Sequence, residues 1–268
     1  MQLPIGFTLG ILIAVLAWRA GALSKSGAWA AALTGGLVFG LGGLPWAALL
    51  LAFFISSSAL SRTFGKRKAG LAEKFSKGHR RDWAQVLANG GLGVLLALVY
   101  GLFPSAEWTW AAFAGAMAAV NADTWATELG VLSRQAPRLV TTGKPVERGS
   151  SGGVTLLGTL AALGGAALVA ITAALSHSGE DAWGLLVAAV VGGLAGSTFD
   201  SLLGATVQAI YRCPQCDKET ERHPRHTCGT ETLHVRGWRW MDNDLVNLAC
   251  SLTGALSTTL LWRLLAGL

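Results

Sequence analysis

Charge is what this sequence has least of. Only 13% of its 268 residues are Asp, Glu, Lys or Arg, where soluble domains carry about a quarter. Some 52% are hydrophobic and 35 are glycine. This shortage excludes an ordinary water-soluble domain and points to lipid as the solvent. Eight apolar stretches approach the roughly 20 residues needed to cross a hydrocarbon core of about 30 Å. They run over 3–18, 27–44, 46–61, 84–103, 108–133, 154–176, 182–210 and 242–264, the first and third being the shortest. The first has no charged leading segment and no small-residue cleavage site after it, so it is expected to remain a helix rather than leave as a signal peptide.

The cations are missing from particular places. Loops at 19–26, 62–83, 134–153 and 211–241 hold 2, 8, 4 and 6 Lys/Arg, and the one left over is Arg263. The intervening loops near Leu44–Pro45, 104–107 and 177–181 hold none. By the positive-inside rule this alternation puts every basic loop in the cytosol and both termini outside, across the cell membrane in a prokaryote. The net charge of +6 thereby has a local explanation, and no nucleic-acid partner is expected. The cluster Lys66, Arg67, Lys68 with Arg80 and Arg81 also suits anionic lipid headgroups or a phosphorylated substrate. Tryptophans at 18, 29, 46, 83, 108, 110, 183, 238, 240 and 262 flank the spans and read as an interfacial belt.

Ionisable groups inside a span cost at least about 2.5 kcal/mol at the bilayer centre, so they mark function by default. The fifth span carries Asn121, Asp123, Thr124, Thr127 and Glu128; the seventh carries Ser197, Thr198, Asp200, Ser201, Thr206 and Gln208; the eighth opens with Asp242, Asn243 and Asp244, then Asn247. Asp123 lies 11 residues before Arg134 and Asp200 lies 12 before Arg212. The two Asp–hydroxyl pairs are therefore expected at similar depth in parallel helices, as in an internal repeat. Two carboxylates so placed repel unless a cation lies between them, and hard oxygen ligands suit Mg²⁺. Asp123, Asp200, Asp242 and Asp244 are its candidate ligands, with Glu128 behind them. Thr127, Thr206 and Gln208 fit interhelical hydrogen bonding at least as well. In the fourth span Gln85 and Asn89 share a helix face, and Ser56, Ser57 and Ser58 end the third span in the same leaflet; helix packing and ligand contact both account for them.

The loop 141–158 reads TTGKPVERGSSGGVTLLG. Gly149, Gly152 and Gly153 let a backbone approach a ligand closely. Lys144 and Arg148 add cations, and Ser150 and Ser151 stand near a helix start, a favoured site for anions. The Gly-Lys-Ser/Thr order of a Walker loop is absent, so phosphate binding follows but no nucleotide class. In the last basic loop, Cys213-Pro-Gln-Cys216 precedes His223, His226 and Cys228. Such spacing fits a structural zinc site, with Cys213, Cys216, His226 and Cys228 as ligands and His223 as the spare. A cytosolic location disfavours a disulfide, and Cys250 reads as a small buried hydrophobe. The fold class expected is all-α: one polytopic membrane domain over 1–268, of about eight transmembrane helices, with a zinc loop at 211–241 between the last two.

In this order, QVLANGG, NADTWATELG, PVERGSSGGVT, GSTFDSLLGATVQ, the C-x2-C…H-x-C-G run and DNDLVN resemble a widespread integral membrane family over roughly 25–255. Plant phytyl-phosphate kinase and the animal protein known as transmembrane protein nineteen belong to it. The resemblance implies phosphoryl transfer from a nucleoside triphosphate, CTP or another, to an isoprenyl monophosphate. Such chemistry depends on positioning and charge neutralisation. Asp123 and Asp200 would hold Mg²⁺, Lys144 and Arg148 would hold phosphates, and Asn89 with Gln85 would orient the acceptor. Asn121, Thr124, Glu128, Gly149, Ser150, Ser151, Gly152, Gly153, Ser201 and Asn247 would line the substrate site. A lipid-phosphate cytidylyltransferase would need the same metal. A transporter or flippase of a phosphorylated lipid would use intramembrane carboxylates too, but the outer loops are short and hold few polar groups.

Overall fold

The computed structural model describes residues 2–64, 74, 80–177, 179 and 181–267. Lys66, Arg67 and Lys68 lie outside the described residues. Seven helices are described: α1 (Leu3–Arg19), α2 (Lys25–Phe64), α3 (Trp83–Leu102), α4 (Trp108–Gly130), α5 (Leu156–Leu175), α6 (Ala182–Thr206) and α7 (Asn243–Ala266). Five of them, α2, α3, α5, α6 and α7, are long and apolar enough to cross a membrane; α1 is shorter, at 17 residues. α4, which carries Asn121, Asp123 and Glu128, is not among the five.

α2 is two helical arms. A straight helix of 40 residues would be about 60 Å long, yet both ends of α2 meet at Arg81. The Arg81 backbone bonds Ala22 and Ser24 just before α2 starts, and its Nη2 donates to Ser57 Oγ near the other end at 2.8 Å. The reversal falls at Gly43, whose φ of 75° and ψ of −163° are non-helical and accessible mainly to glycine. Pro45 follows, with no N–H to continue the preceding turn.

α4 lies at the centre of the second half. Residues 111–122 are buried on every side, because small residues let three neighbours close in. A Cβ on Gly165 of α5 would sit 2.9 Å from Asn121 O, one on Gly196 of α6 would sit 2.5 Å from Ala119 Cβ, and one on Gly254 of α7 would sit 2.5 Å from Gly115 O. In lipid, where burial of hydrocarbon gives no drive to associate, such contact is what holds helices together. It also shelters the polar end of α4. Gly193 of α6 packs on Ala118 and Gly196 on Ala119; continuing one turn along each parallel helix brings Asp200 beside Asp123.

At the opposite end of the bundle, Trp46 stacks on Phe113 at 4.5 Å and on Tyr100 at 5.4 Å. Trp46 and Trp262 are buried, which corrects their reading as interfacial anchors: the kink in α2 folds Trp46 inward, and Trp262 Nε1 donates to Asp181. Trp29, Trp83, Trp108, Trp183, Trp238 and Trp240 are exposed. Five short strands add to the helices. β1 (Arg138–Leu139) pairs with β2 (Gly153–Val154), and β3 (Ile210–Cys213) stands between β4 (Lys218–Thr220) and β5 (Leu233–Arg236). The seventh apolar stretch thus ends early. α6 stops at Thr206, and Gln208 lies beyond the helix.

Candidate functional site

The ends of α2, α4 and α6 and the starts of α3, α5 and α7 surround a cleft of about 550 Å³. Its α3 wall is fixed by a capping box. Asp82 accepts from Gln85 N at 2.9 Å, and Gln85 Oε1 accepts from Asp82 N at 3.2 Å, so two orphan amides of the first turn are satisfied together. Asn89 Nδ2 donates to Gln85 O at 2.9 Å. Each of these side-chain amide nitrogens retains a hydrogen for the cleft. Arg81, just before the cap, lies over the rings of Phe53 and Phe54 at 5.2 and 5.7 Å and donates to Ser57 and Ser58. Burial pulls its guanidinium down to about 10, against the charge of Glu128, so it is a fixed cation at neutral pH.

The floor is the carboxyl pair. Asp123 of α4 and Asp200 of α6 lie within hydrogen-bonding reach of one another. Asp200 Oδ2 is buried and has no hydrogen-bond partner. Two acids in contact must share a proton or a cation, and a buried oxygen left unpaired costs about 1–3 kcal/mol or more. The donor set fits a hard divalent ion such as Mg²⁺. Behind it, Glu128 accepts from Ser61 Oγ at 2.8 Å.

The glycine-rich loop is the opposite wall, resting backbone to backbone on the end of α6. Gly152 has φ +81°, and a Cβ there would lie 2.4 Å from Ala205 N. Ser151 Oγ and Gln208 Nε2 both donate to Glu221 Oε1 at 2.9 Å. Lys74 Nζ pairs with Glu147 at 2.6 Å, while Lys74 O accepts from Glu221 N at 2.8 Å. Through Glu221 and Lys74, the glycine loop is tied to the strand module of β3, β4 and β5.

That module carries the cysteines. The ligand atoms of Cys213, Cys216, His226 and Cys228 all lie within 4.8 Å of one another. Cys213 Sγ is 3.5 Å from Cys228 Sγ, and His226 Nδ1 is 3.4 Å from the same sulfur. Thiolates at about 2.3 Å from a tetrahedral zinc would be about 3.8 Å apart, so the cluster fits such an ion. Hydrogen bonding from Thr230 holds the Cys228 thiol down at about 5, and Cys216, bonded to Cys228, is pushed up to about 11. His223 instead stacks on Tyr211 at 4.5 Å.

Of the residues singled out from sequence, Gln85, Asn89, Asp123, Thr124, Glu128, Arg148, Gly149, Ser150, Ser151, Gly152, Gly153, Asp200, Ser201 and Asn247 line the cleft. Lys144 is exposed on the loop and does not line it. Asn121 is fully buried in a helix contact, giving its Nδ2 to Gly165 O at 2.8 Å and taking Ser56 Oγ at 3.1 Å. Asp242 accepts from Leu245 N at 3.0 Å as the cap of α7, and neither it nor Asp244 lines the cleft. Two lining residues carry more than the sequence suggests. Arg81 reads as one of a basic cluster, although its place one residue before the capping pattern Asp82-x-x-Gln85 is a signal that it is held. Glu221 gives no local signal, since its partners lie 13 and 70 residues away.

Of three relatives, two are named as membrane proteins. The chain is 33% identical to Protein PGR of Arabidopsis thaliana over 93% of this chain and 92% of the relative. It is 30% identical to the protein named Uncharacterized membrane protein MJ0933 of Methanocaldococcus jannaschii, over 76% of this chain and 83% of the other. A Synechocystis membrane protein, sll0875, is 28% identical over 80% and 76%. No solved structure matches. The model of the integral membrane protein family DUF92 matches residues 8–255, and the chain belongs to that family.

Proposed function

We propose that this chain is a membrane phosphotransferase that passes a phosphoryl group from a nucleoside triphosphate to an isoprenyl monophosphate. The observation that carries the reading is the carboxyl pair Asp123–Asp200, with its unpartnered oxygen, in one cleft with the fixed cation Arg81, Arg148 and a glycine-rich loop. In this reading the α2 arms count as two spans, giving eight, with the cleft and basic loops cytosolic and both termini outside. The metal cluster is a structural zinc site that fixes the strand module.

Bound Mg²⁺ would supply charge neutralisation for the nucleotide phosphates, held by Asp123 and Asp200. Arg148 and the loop amides of Gly149 and Ser151 orient the donor. Arg81 holds the acceptor phosphate, and Gln85 and Asn89 direct its oxygens. One acceptor oxygen attacks the terminal phosphorus of the triphosphate, the bond to the bridging oxygen breaks, and the nucleoside diphosphate leaves. A phosphate monoester is already ionised near neutral pH, so no base is needed. Lys144 has no part in this arrangement.

The test incubates purified protein in detergent with Mg²⁺, labelled nucleoside triphosphates and farnesyl, geranylgeranyl or phytyl monophosphate. A prenyl diphosphate should form, and Asp123→Ala and Asp200→Ala should each reduce the rate at least about 100-fold, the scale of one lost electrostatic group. No diphosphate with any nucleotide refutes the proposal. Pyrophosphate release with a nucleotide-capped lipid would instead establish the cytidylyltransferase chemistry.

A further inference from the structure

A second cavity, about 170 Å³, lies between α1, both arms of α2 and the first turns of α3. Its walls are hydrocarbon, from Leu9 and Ile13 on α1 to Phe39, Leu50 and Leu51 on α2. At one end it reaches Arg81, Gln85 and Asn89, the three side chains that also line the polar cleft. An apolar groove therefore opens onto a cation and two amides, at the border of the site already described.

Arg81 is held there by several independent contacts. Its backbone bonds Ala22 and Ser24, two serine hydroxyls accept from its guanidinium, and two phenylalanine rings lie against it. Among the described residues it makes no ion pair within 4 Å. A fixed cation with no ion pair among the described residues and only the more distant charge of Glu128 acting on it, at the mouth of an apolar groove, matches an amphiphile with an anionic head. The groove is narrow because α1 and α2 meet backbone to backbone beside it: a Cβ on Gly6 would lie 2.7 Å from Gly36 O, and one on Gly10 would lie 2.9 Å from Ala32 O. At about 170 Å³ the volume suits one hydrocarbon chain and not two.

We propose that this groove binds the single hydrocarbon chain of a lipid monophosphate, placing its phosphate on Arg81, Gln85 and Asn89. The inference rests on the phosphotransferase reading only in making that lipid the acceptor; the binding itself needs no turnover. Gly35 is the position that tests it. It lines the groove, and a Cβ there meets only Gly10 Cα, at 3.7 Å. Gly35→Leu therefore directs bulk into the groove at the wall nearest α1, and an unchanged melting temperature without ligand checks that the α1–α2 contact is kept.

The experiment measures binding of dodecyl phosphate, butyl phosphate, dodecanol and didodecanoyl phosphatidic acid to the purified full chain, without nucleotide, by ligand-dependent thermal shift in detergent. Wild type should bind dodecyl phosphate at least about tenfold more tightly than butyl phosphate, which lacks most of the buried chain, or dodecanol, which lacks the anion. Gly35→Leu should weaken dodecyl phosphate at least about tenfold and leave butyl phosphate within about twofold. Arg81→Gln should lose the preference for the phosphate over dodecanol. Equal effects of Gly35→Leu on the long and short phosphates would overturn the groove, and tighter binding of the two-chain phosphatidic acid would overturn the single-chain assignment. If chain-dependent binding is found but no diphosphate forms with any nucleotide, the groove stands and the phosphotransferase reading falls. If turnover occurs with no chain dependence, the reverse holds.

Discussion

Replacing Asp200 by Asn should stabilise the protein without a divalent ion and remove most of the stabilisation that the ion gives, and both effects can be worked from the carboxyl pair. Asp123 and Asp200 are within hydrogen-bonding reach. Two unit charges about 4 Å apart would repel by about 4 kcal/mol at an effective dielectric constant of about 20, an upper bound that a shared proton lowers. Asn keeps the shape of the side chain and removes that repulsion, so in Mg²⁺-free buffer Asp200→Asn should melt above wild type. Wild type in Mg²⁺ at 100 times its Kd should gain about 2.7 kcal/mol, or about 5–10 °C at the usual 2–4 °C per kcal/mol. The variant, with one hard anionic ligand gone, should gain little. The assay is thermal unfolding in detergent at pH 8, where a shared proton is least favoured, with the free ion removed by desalting so that the cysteine cluster keeps its metal. The reasoning is refuted if Mg²⁺ raises both proteins equally, or if Asp200→Asn melts below wild type when the ion is absent.

Two further outcomes follow from the loops. Cys216→Ser should lower the tightly bound zinc, measured by mass spectrometry of protein purified without chelator, from one equivalent towards none. Its strand module should also become sensitive to proteolysis around Glu221, because a closed ligand set folds its loop; full zinc in the variant would remove the assignment. Glu147 is held below the usual carboxylate range by the Lys74 hydrogen bond first and its charge second. A depressed folded value means that its contribution is present above the unfolded value of 4.5 and fades as pH falls through the folded one. Wild type and Glu147→Gln should therefore differ slightly at pH 7, as befits a side chain 79% exposed, and converge as pH falls through the depressed folded value in a pH series of melting temperatures. A difference that grows on acidification would contradict the sign.

Much of the site was legible because its chemistry sits in short runs that lipid makes conspicuous. Asp123 and Asp200 stand out where a carboxylate is costly, and their matched distance from the following arginines encodes a register that the Ala119–Gly196 contact realises. The cysteine cluster was legible from spacing alone, since four ligands within 16 residues close on themselves. Other residues could not be sorted this way. Asn121 and Asp123 are two positions apart in one polar run, yet one turns into a helix contact with Gly165 and the other lines the cleft. Asp242 looks like a ligand and is spent on capping α7.

What the sequence determined by itself is the apolar stretches of the helices, the alternation of the cations between loops, the breaker at Gly43–Pro45 and the close-packing glycines, because each is a local response of backbone or charge to lipid. What only the tertiary structure decided is which polar groups meet. Arg81 gathers both ends of α2 and borders two cavities, Glu221 ties the glycine loop to the cysteine module, and Lys144 falls outside the cleft. Those outcomes depend on contacts between residues tens of positions apart, and neither span length nor charge alternation carries that information.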